Sequence, residues 1–255
     1  MVERVTCPLT IPMSLCSQKV TSMSNKSCII VGAGPGNGLA FGRRFAEAGH
    51  RVALLARTQE RLQQLAAQVQ GATAQVCDVT SVPSVQQAFA AARGAVGDPD
   101  VLIYNAGAGT FGNVDAVTAE NMEAAWRTNA LGCFLCAKEV LPGLRAKKRG
   151  SIVIIGATAS LKGSANFIAF AAAKAALRSM AQSLARQLGP EGIHVAHVVI
   201  DGVIDLETTR RQMPTHPDEF FLKPADIAES VFRLVEQPRS AWTFELDLRP
   251  FGEKW

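Results

Sequence analysis

Residues 28–38, Cys-Ile-Ile-Val-Gly-Ala-Gly-Pro-Gly-Asn-Gly, constrain this chain more than any other stretch. Cys28 to Val31 reads as a short buried strand that stops at a glycine turn. Gly32, Gly34, Gly36 and Gly38 place four glycines within seven residues, and a helical period then starts at Leu39, Ala40 and Phe41 and runs on to Phe45 and Ala46. A strand, a glycine turn and a helix bring backbone N–H groups and a helix N-terminus to one point, the geometry that holds a phosphate. A Cβ in such a turn blocks either a positive-φ bend or the approach of the ligand. An ordinary strand-to-helix turn has no need of so many glycines.

The spacing narrows the ligand. A P-loop ends in Gly-Lys-Ser or Gly-Lys-Thr, whereas Gly38 is followed by Leu39. Gly32-Ala-Gly34-Pro-Gly36 also fits the glycine loop of S-adenosylmethionine methyltransferases, so the glycines alone leave two nucleotide classes open.

Further along, apolar runs and helical periods alternate. Strands are expected at Arg51–Ala56, Gln75–Cys77, Val101–Tyr104, Ser151–Ile155, Ile193–Ile200 and, by its alternation, Trp242–Leu248. Helices are expected over Ser84–Ala92, Ala119–Leu144 (interrupted near Pro142), Ala165–Leu188 and Ala225–Glu236, with residues 203–222 irregular. Strands separated by helices predict a parallel sheet wound on both faces, with its ligand crevice beyond the carboxyl ends of the strands. Gly32 to Gly38, Arg57, Asp78, Asn105 to Gly107, Gly156 to Ser160 and Asp201 to Asp205 all fall at those ends.

Composition excludes several alternatives. A chain of 255 residues with 48% hydrophobic and 19% charged residues is large enough for one α/β domain with a full core. A net charge of +4, with no basic run beyond Arg145–Arg149, makes no case for nucleic acid, and no apolar run approaches a membrane span. Cys133-Phe-Leu-Cys136 has redox spacing but lies in a helical stretch without a second pair, so buried thiols are expected, no metal, and a cytoplasmic setting. Residues 1–26 mix prolines, cysteines, serines and threonines without amphipathic period or signal-peptide pattern, and are expected to be a mobile extension before a single domain over 27–255.

Taken together, Gly32-x-x-x-Gly36-x-Gly38, Asp78-Val79, Asn105-Ala106-Gly107, Asn129 and Lys174 resemble the short-chain dehydrogenase/reductase superfamily in order and spacing, over about residues 27 to 248. The resemblance implies a Rossmann-type doubly wound parallel sheet of about seven strands with helices on both faces. It implies that Gly32, Gly34, Gly36, Asn37 and Gly38 carry a dinucleotide, that Asp78 and Val79 receive the adenine, and that Asn105, Ala106 and Gly107 line the floor near the ribose. Lys174 would hold the nicotinamide ribose, and Asn129 would keep a helix locally open around a water of the proton relay. It also implies a homodimer or homotetramer built on the two long helices, and a small carbonyl compound or alcohol as substrate. At the end of the second strand an NAD enzyme usually carries an acid. Here Ala56 and then Arg57 stand, which favours NADP(H), because a guanidinium grips a 2′-phosphate that an acid would repel, and which weakens the methyltransferase reading.

At two positions the pattern breaks. The family's catalytic tyrosine, four residues before the lysine, is Phe170, and its serine, thirteen residues earlier still, is Ala157. The one tyrosine, Tyr104, lies on the strand before Asn105 and is expected to pack or bond locally. Phenylalanine has no proton to give and alanine no hydroxyl, so ketone reduction should lose the roughly 10²- to 10⁴-fold that a positioned acid supplies. Thr158, Ser160, Asp201 and Lys174 remain as substitute donors, and Arg210, Arg211 and His216 of the irregular stretch hint at a polar substrate. Two functions stay open: an NADP(H)-dependent oxidoreductase with an altered catalytic site, or an inactive homologue that binds cofactor for sensing or interaction.

Overall fold

The computed structural model describes residues 26–252, so the expectations placed on residues 1–25 lie outside the described residues. Lys26 is already part of the folded body, because its carbonyl accepts the Arg51 N–H at 3.0 Å and its ammonium meets Glu236 at 3.0 Å. The fold thus includes one residue that the sequence assigned to the extension.

The strands are β1 (Ser27–Val31), β2 (Arg51–Ala56), β3 (Thr73–Val76), β4 (Val101–Tyr104), β5 (Ser151–Ile155), β6 (His194–Ile200), the two-residue β7 (Val203–Ile204) and β8 (Phe221–Leu222), and β9 (Glu245–Leu248). Seven of them form one sheet in the order β3-β2-β1-β4-β5-β6-β9, every neighbouring pair parallel. The helices are α1 (Asn37–Glu47), α2 (Gln59–Ala66), α3 (Val82–Val96), α4 (Ala119–Trp126), α5 (Gly132–Lys147), α6 (Ile168–Leu188), α7 (Glu207–Gln212) and α8 (Pro224–Val235). This is the doubly wound Rossmann-type sheet that the alternation of elements predicted.

Strand periodicity sorts the core into two layers. Ile29 and Val31 pack with Phe89, Cys136 and Leu177 on the face covered by α3, α5 and α6. Cys28 and Ile30 pack with Phe41, Phe45 and Val231 on the face covered by α1 and α8. Burying each such side chain stabilises the fold by about 1.5–3 kcal/mol. Cys28, Cys77, Cys133 and Cys136 are buried free thiols, as their apolar settings suggest.

Several elements differ from the sequence reading, among them α6, which starts at Ile168 rather than Ala165, and β9, which starts at Glu245 rather than Trp242. β3 starts and ends earlier than Gln75–Cys77. The long helix over Ala119–Leu144 is two helices joined by a π-helical turn, Arg127–Leu131. Pro142 does not interrupt α5, which runs to Lys147 with Val140 and Leu144 fixed in the core on either side of the proline; one missing N–H bond is outweighed by that packing. Within residues 203–222, Val203 pairs with Phe221 and Ile204 with Leu222, around the short helix α7.

Candidate functional site

The winding of the sheet reverses between β1 and β4, so the turns after these two strands face each other across a crevice. Gly32 sits at φ +84°, and a Cβ there would run into the backbone of Asn105 and Ala106. The Asn105 amide donates to the Gly32 carbonyl at 2.8 Å and knits the two strand ends together. Gly34 is the opposite case: a Cβ there meets no atom within 4 Å and would project into open space. No side chain caps α1, which starts at Asn37; the Leu39 N–H donates to the Gly34 carbonyl at 2.9 Å, which leaves those of Asn37 and Gly38 for a ligand. Gly38 is packed against Ala33, and Gly36 is covered by the Leu206 side chain from the segment before α7. Asn37 is buried with its side-chain oxygen lacking a partner.

Beside the turn lies a cavity of about 350 Å³ lined by Gly32, Ala33 and Gly34, by Ala56, Arg57, Thr58 and Arg61, by Cys77 and Val79, and by Asn105 to Gly107 with Thr128. Seven of the residues singled out from sequence therefore share one wall: Gly32, Gly34, Arg57, Val79, Asn105, Ala106 and Gly107. Arg61, on α2, was missed, although a second cation four residues after Arg57 was a usable signal. Both guanidiniums are exposed and β2 ends without an acid. Asp78 stands between Cys77 and Val79, and its Oδ1 accepts the Thr80 N–H at 2.9 Å and the Thr80 hydroxyl at 2.7 Å. Those bonds, helped by nearby Arg57, hold its carboxyl below the usual aspartate range. A glycine cradle, an uncapped helix and two cations fit a phosphate-bearing nucleotide.

Further along the crevice, the π turn places Asn129 in the interior. Its Nδ2 donates to the carbonyls of Ala125 at 2.9 Å and Ala108 at 3.2 Å, while its Oδ1 has no partner. Tyr104 is buried and donates its hydroxyl proton to the Thr128 carbonyl in the same turn, the local bond expected of it. Lys174 on α6 is only 6% exposed, and its ammonium donates to the Ile155 carbonyl at 2.9 Å. Burial lowers its pKa from 10.5 to about 8. A Cβ on Gly107 would lie 3.2 Å from Asn129 Oδ1 and 3.6 Å from Lys174 Nζ, so these three positions converge.

One helical turn before Lys174, Phe170 has its ring centroid 5.8 Å from the ammonium. The ring meets Phe111 at 5.9 Å and Phe167 at 6.5 Å. The loop after β4 is clipped to the segment before α6, since Gly112 N–H donates to the Asn166 carbonyl at 2.7 Å. Ala157, two residues beyond β5, donates its N–H to Ser160 Oγ at 3.1 Å. Thr158 Oγ1 donates to Asp201 Oδ1 at 2.6 Å. Arg210, one of three residues whose presence hinted at a polar substrate, holds Asp205 and Asp218 within its own segment.

Among the described residues no helix is long and apolar enough to cross a membrane, and no group of His, Cys, Asp or Glu is arranged to hold a metal. Comparison with known proteins points one way. An inactive 2-(S)-hydroxypropyl-CoM dehydrogenase 2 from Xanthobacter autotrophicus is 32% identical over 208 residues, 76% of this chain and 90% of its own. A short-chain dehydrogenase from Rhodopseudomonas palustris has a crystal structure that matches with a TM-score of 0.77 at 32% identity, over 89% of this chain and 99% of its own. An alcohol dehydrogenase from the archaeon Thermococcus sibiricus, complexed with 5-hydroxy-NADP, matches with a TM-score of 0.80 at 26% identity, over 90% of this chain and 98% of its own. The family model for short chain dehydrogenases matches residues 26–216, and with the sheet order and the crevice above it shows that this chain belongs to the short-chain dehydrogenase family.

Proposed function

We propose that the protein is an NADP(H)-dependent oxidoreductase acting on a small alcohol or carbonyl compound through an altered catalytic site. One observation carries the cofactor: the cavity beside the glycine turn ends in Arg57 and Arg61, with Ala56 where an acid would grip an unphosphorylated ribose. The 5-hydroxy-NADP complex of the Thermococcus relative supports the same choice. In this reading the uncapped start of α1 and Gly34 face the diphosphate, and Gly36, Asn37 and Gly38 shape that turn. Asp78 and Val79 receive the adenine, Asn105 to Gly107 line the ribose side, and Lys174 holds the nicotinamide ribose. When bound, the nicotinamide gives or takes a hydride. Phe170 and Ala157 occupy the positions of the family's tyrosine and serine, so proton transfer falls to other groups.

Calorimetric titration tests the cofactor. NADPH should bind about 10- to 100-fold more tightly than NADH, as expected for one or two charge-assisted hydrogen bonds. Equal affinities would refute the assignment of the cavity.

A second reading, cofactor binding without turnover, is favoured by Phe170, whose ring packs in an aromatic group where a proton donor is wanted, and by the inactive Xanthobacter relative. Consumption of NADPH or NADP+ separates the two. We also propose a dimer or tetramer formed through α5 and α6, on which Phe134 and Ile168 are exposed, to be read by light scattering. The four described thiols are unpaired, which suits a reducing cytoplasm.

A further inference from the structure

The polar groups along the crevice differ in what the fold has left them. Tyr104 is buried and its proton goes to Thr128. Ser160 is buried and its Oγ accepts the Ala157 N–H. Lys174 is buried and bound to the Ile155 carbonyl. Asp205 is gripped by Arg210 at 2.7 and 2.8 Å. Thr158 and Asp201 stand apart. Thr158 follows Ala157 three residues beyond β5, Asp201 directly follows β6, and both are only partly buried. Thr158 Oγ1 donates to Asp201 Oδ1 at 2.6 Å, and Arg249 lies 3.3 Å from the other carboxylate oxygen.

The direction of that hydrogen bond decides what the pair can recognise. A threonine hydroxyl has one proton and two lone pairs. Its proton is committed to Asp201, so Oγ1 presents lone pairs to a ligand. A ketone oxygen, itself an acceptor, finds no partner there, whereas the O–H of an alcohol does.

We propose that Thr158 and Asp201 form the proton-accepting pair of the site and select a secondary alcohol, which the protein oxidises with NADP+. This rests on the NADP(H) reading above. As the alcohol O–H bond breaks, its proton passes to Thr158 Oγ1 while the threonine's own proton moves to Asp201. The electron pair of the broken O–H bond becomes the second bond of the carbonyl. The carbinol C–H pair leaves as hydride to the oxidised nicotinamide. The alcohol is oxidised to a ketone, NADP+ is reduced to NADPH, and Asp201 then releases the proton to solvent. Thr158 touches the substrate and is the catalytic residue; Asp201 works through it and is a positioning residue held by Arg249. Phe111, 64% exposed, with Phe167 and Phe170 makes one side of the mouth aromatic, so 1-phenylethanol is a fitting probe.

The experiment uses the full chain with NADP+, 1-phenylethanol and acetophenone. Calorimetry first gives NADP+ affinity for wild type, Thr158→Val, Thr158→Ser and Asp201→Asn, which should agree within about threefold because neither side chain is assigned to the cofactor. On the NADP+ complex, 1-phenylethanol should bind about tenfold more tightly than acetophenone, the worth of roughly one hydrogen bond, and Thr158→Val should erase the difference. Single-turnover formation of NADPH should fall on the order of 10²-fold in Thr158→Val and in Asp201→Asn and stay within about threefold in Thr158→Ser. A wild type that does not bind NADP+ refutes the cofactor reading and the pair with it. Bound NADP+ with no alcohol preference, no alcohol oxidation, or oxidation indifferent to Thr158→Val and Asp201→Asn overturns the pair alone.

Discussion

The β1–β4 end of the crevice and the β5–β6 end solve different problems. At the first, recognition is built largely from backbone: a positive-φ glycine, an uncapped helix, and strand ends tied together by Asn105. At the second, the chemistry proposed above rests on a few side chains, Phe170, Ala157, Thr158 and Asp201. A backbone cradle survives exchange of its neighbours, whereas replacing one hydroxyl can remove a proton path. The fold can therefore keep a nucleotide site while its reaction drifts.

The strongest way to break this comparison is Gly34→Val. Nothing stands within 4 Å of a Cβ there, so the variant should fold, with a melting temperature within about 2 °C of wild type, while the side chain fills the cradle and NADPH affinity drops on the order of 10³-fold. Retained affinity in calorimetry would show that the phosphate lies elsewhere.

Lys174, which joins the two ends, should give the next effect. Its pKa is about 8 in the fold against 10.5 ordinarily. Between those values the unfolded chain binds the proton and the folded chain does not, so this group's contribution to stability falls as pH drops from 10.5 to 8 and is flat below. Relative to wild type, Lys174→Met should therefore gain up to about 3 kcal/mol more at pH 7 than at pH 10.5, read by urea unfolding. A pH-independent difference between the two proteins would mean that the ammonium is well solvated.

Replacing Arg57 and Arg61 together by alanine should cost NADPH roughly 10²-fold in affinity and leave NADH within about twofold. Equal losses for both cofactors would move the guanidiniums to a phosphate common to them.

The smallest effect sharpens the β5–β6 side. Phe170→Tyr with Ala157→Ser should speed single-turnover oxidation of bound NADPH by an activated ketone about tenfold, partial because the new phenol inherits an apolar pocket. Fast wild-type turnover that survives Phe170→Ala would show that the site never lacked an acid.

What could be read from sequence tracks the same divide. The glycine spacing, the strand ends at Arg57, Asp78 and Asn105, and the apolar alternation of β1 and β5 are local patterns, and local patterns are visible in one dimension. The break at Arg127–Leu131 was foreseen only as a role for Asn129, because a π turn leaves no mark in hydrophobic period. Pro142 misled because propensity is local while the packing of Val140 and Leu144 is not. Phe111 and Phe167 lie 56 residues apart and meet where the Gly112–Asn166 and Ile168–Gly112 backbone bonds join their segments. Thr158 and Asp201 were each visible as candidates; that one donates to the other was not.

Leu206 resting on Gly36 bears on how fast, rather than how tightly, the nucleotide is taken up. In the proposed NADP(H) reading, a diphosphate crossing that glycine would have to push the leucine aside, and the segment carrying it is moored by Arg210 to Asp205 and Asp218. Association would then have two steps, and the observed rate should level off at high NADPH concentration at the rate with which this mooring lets go.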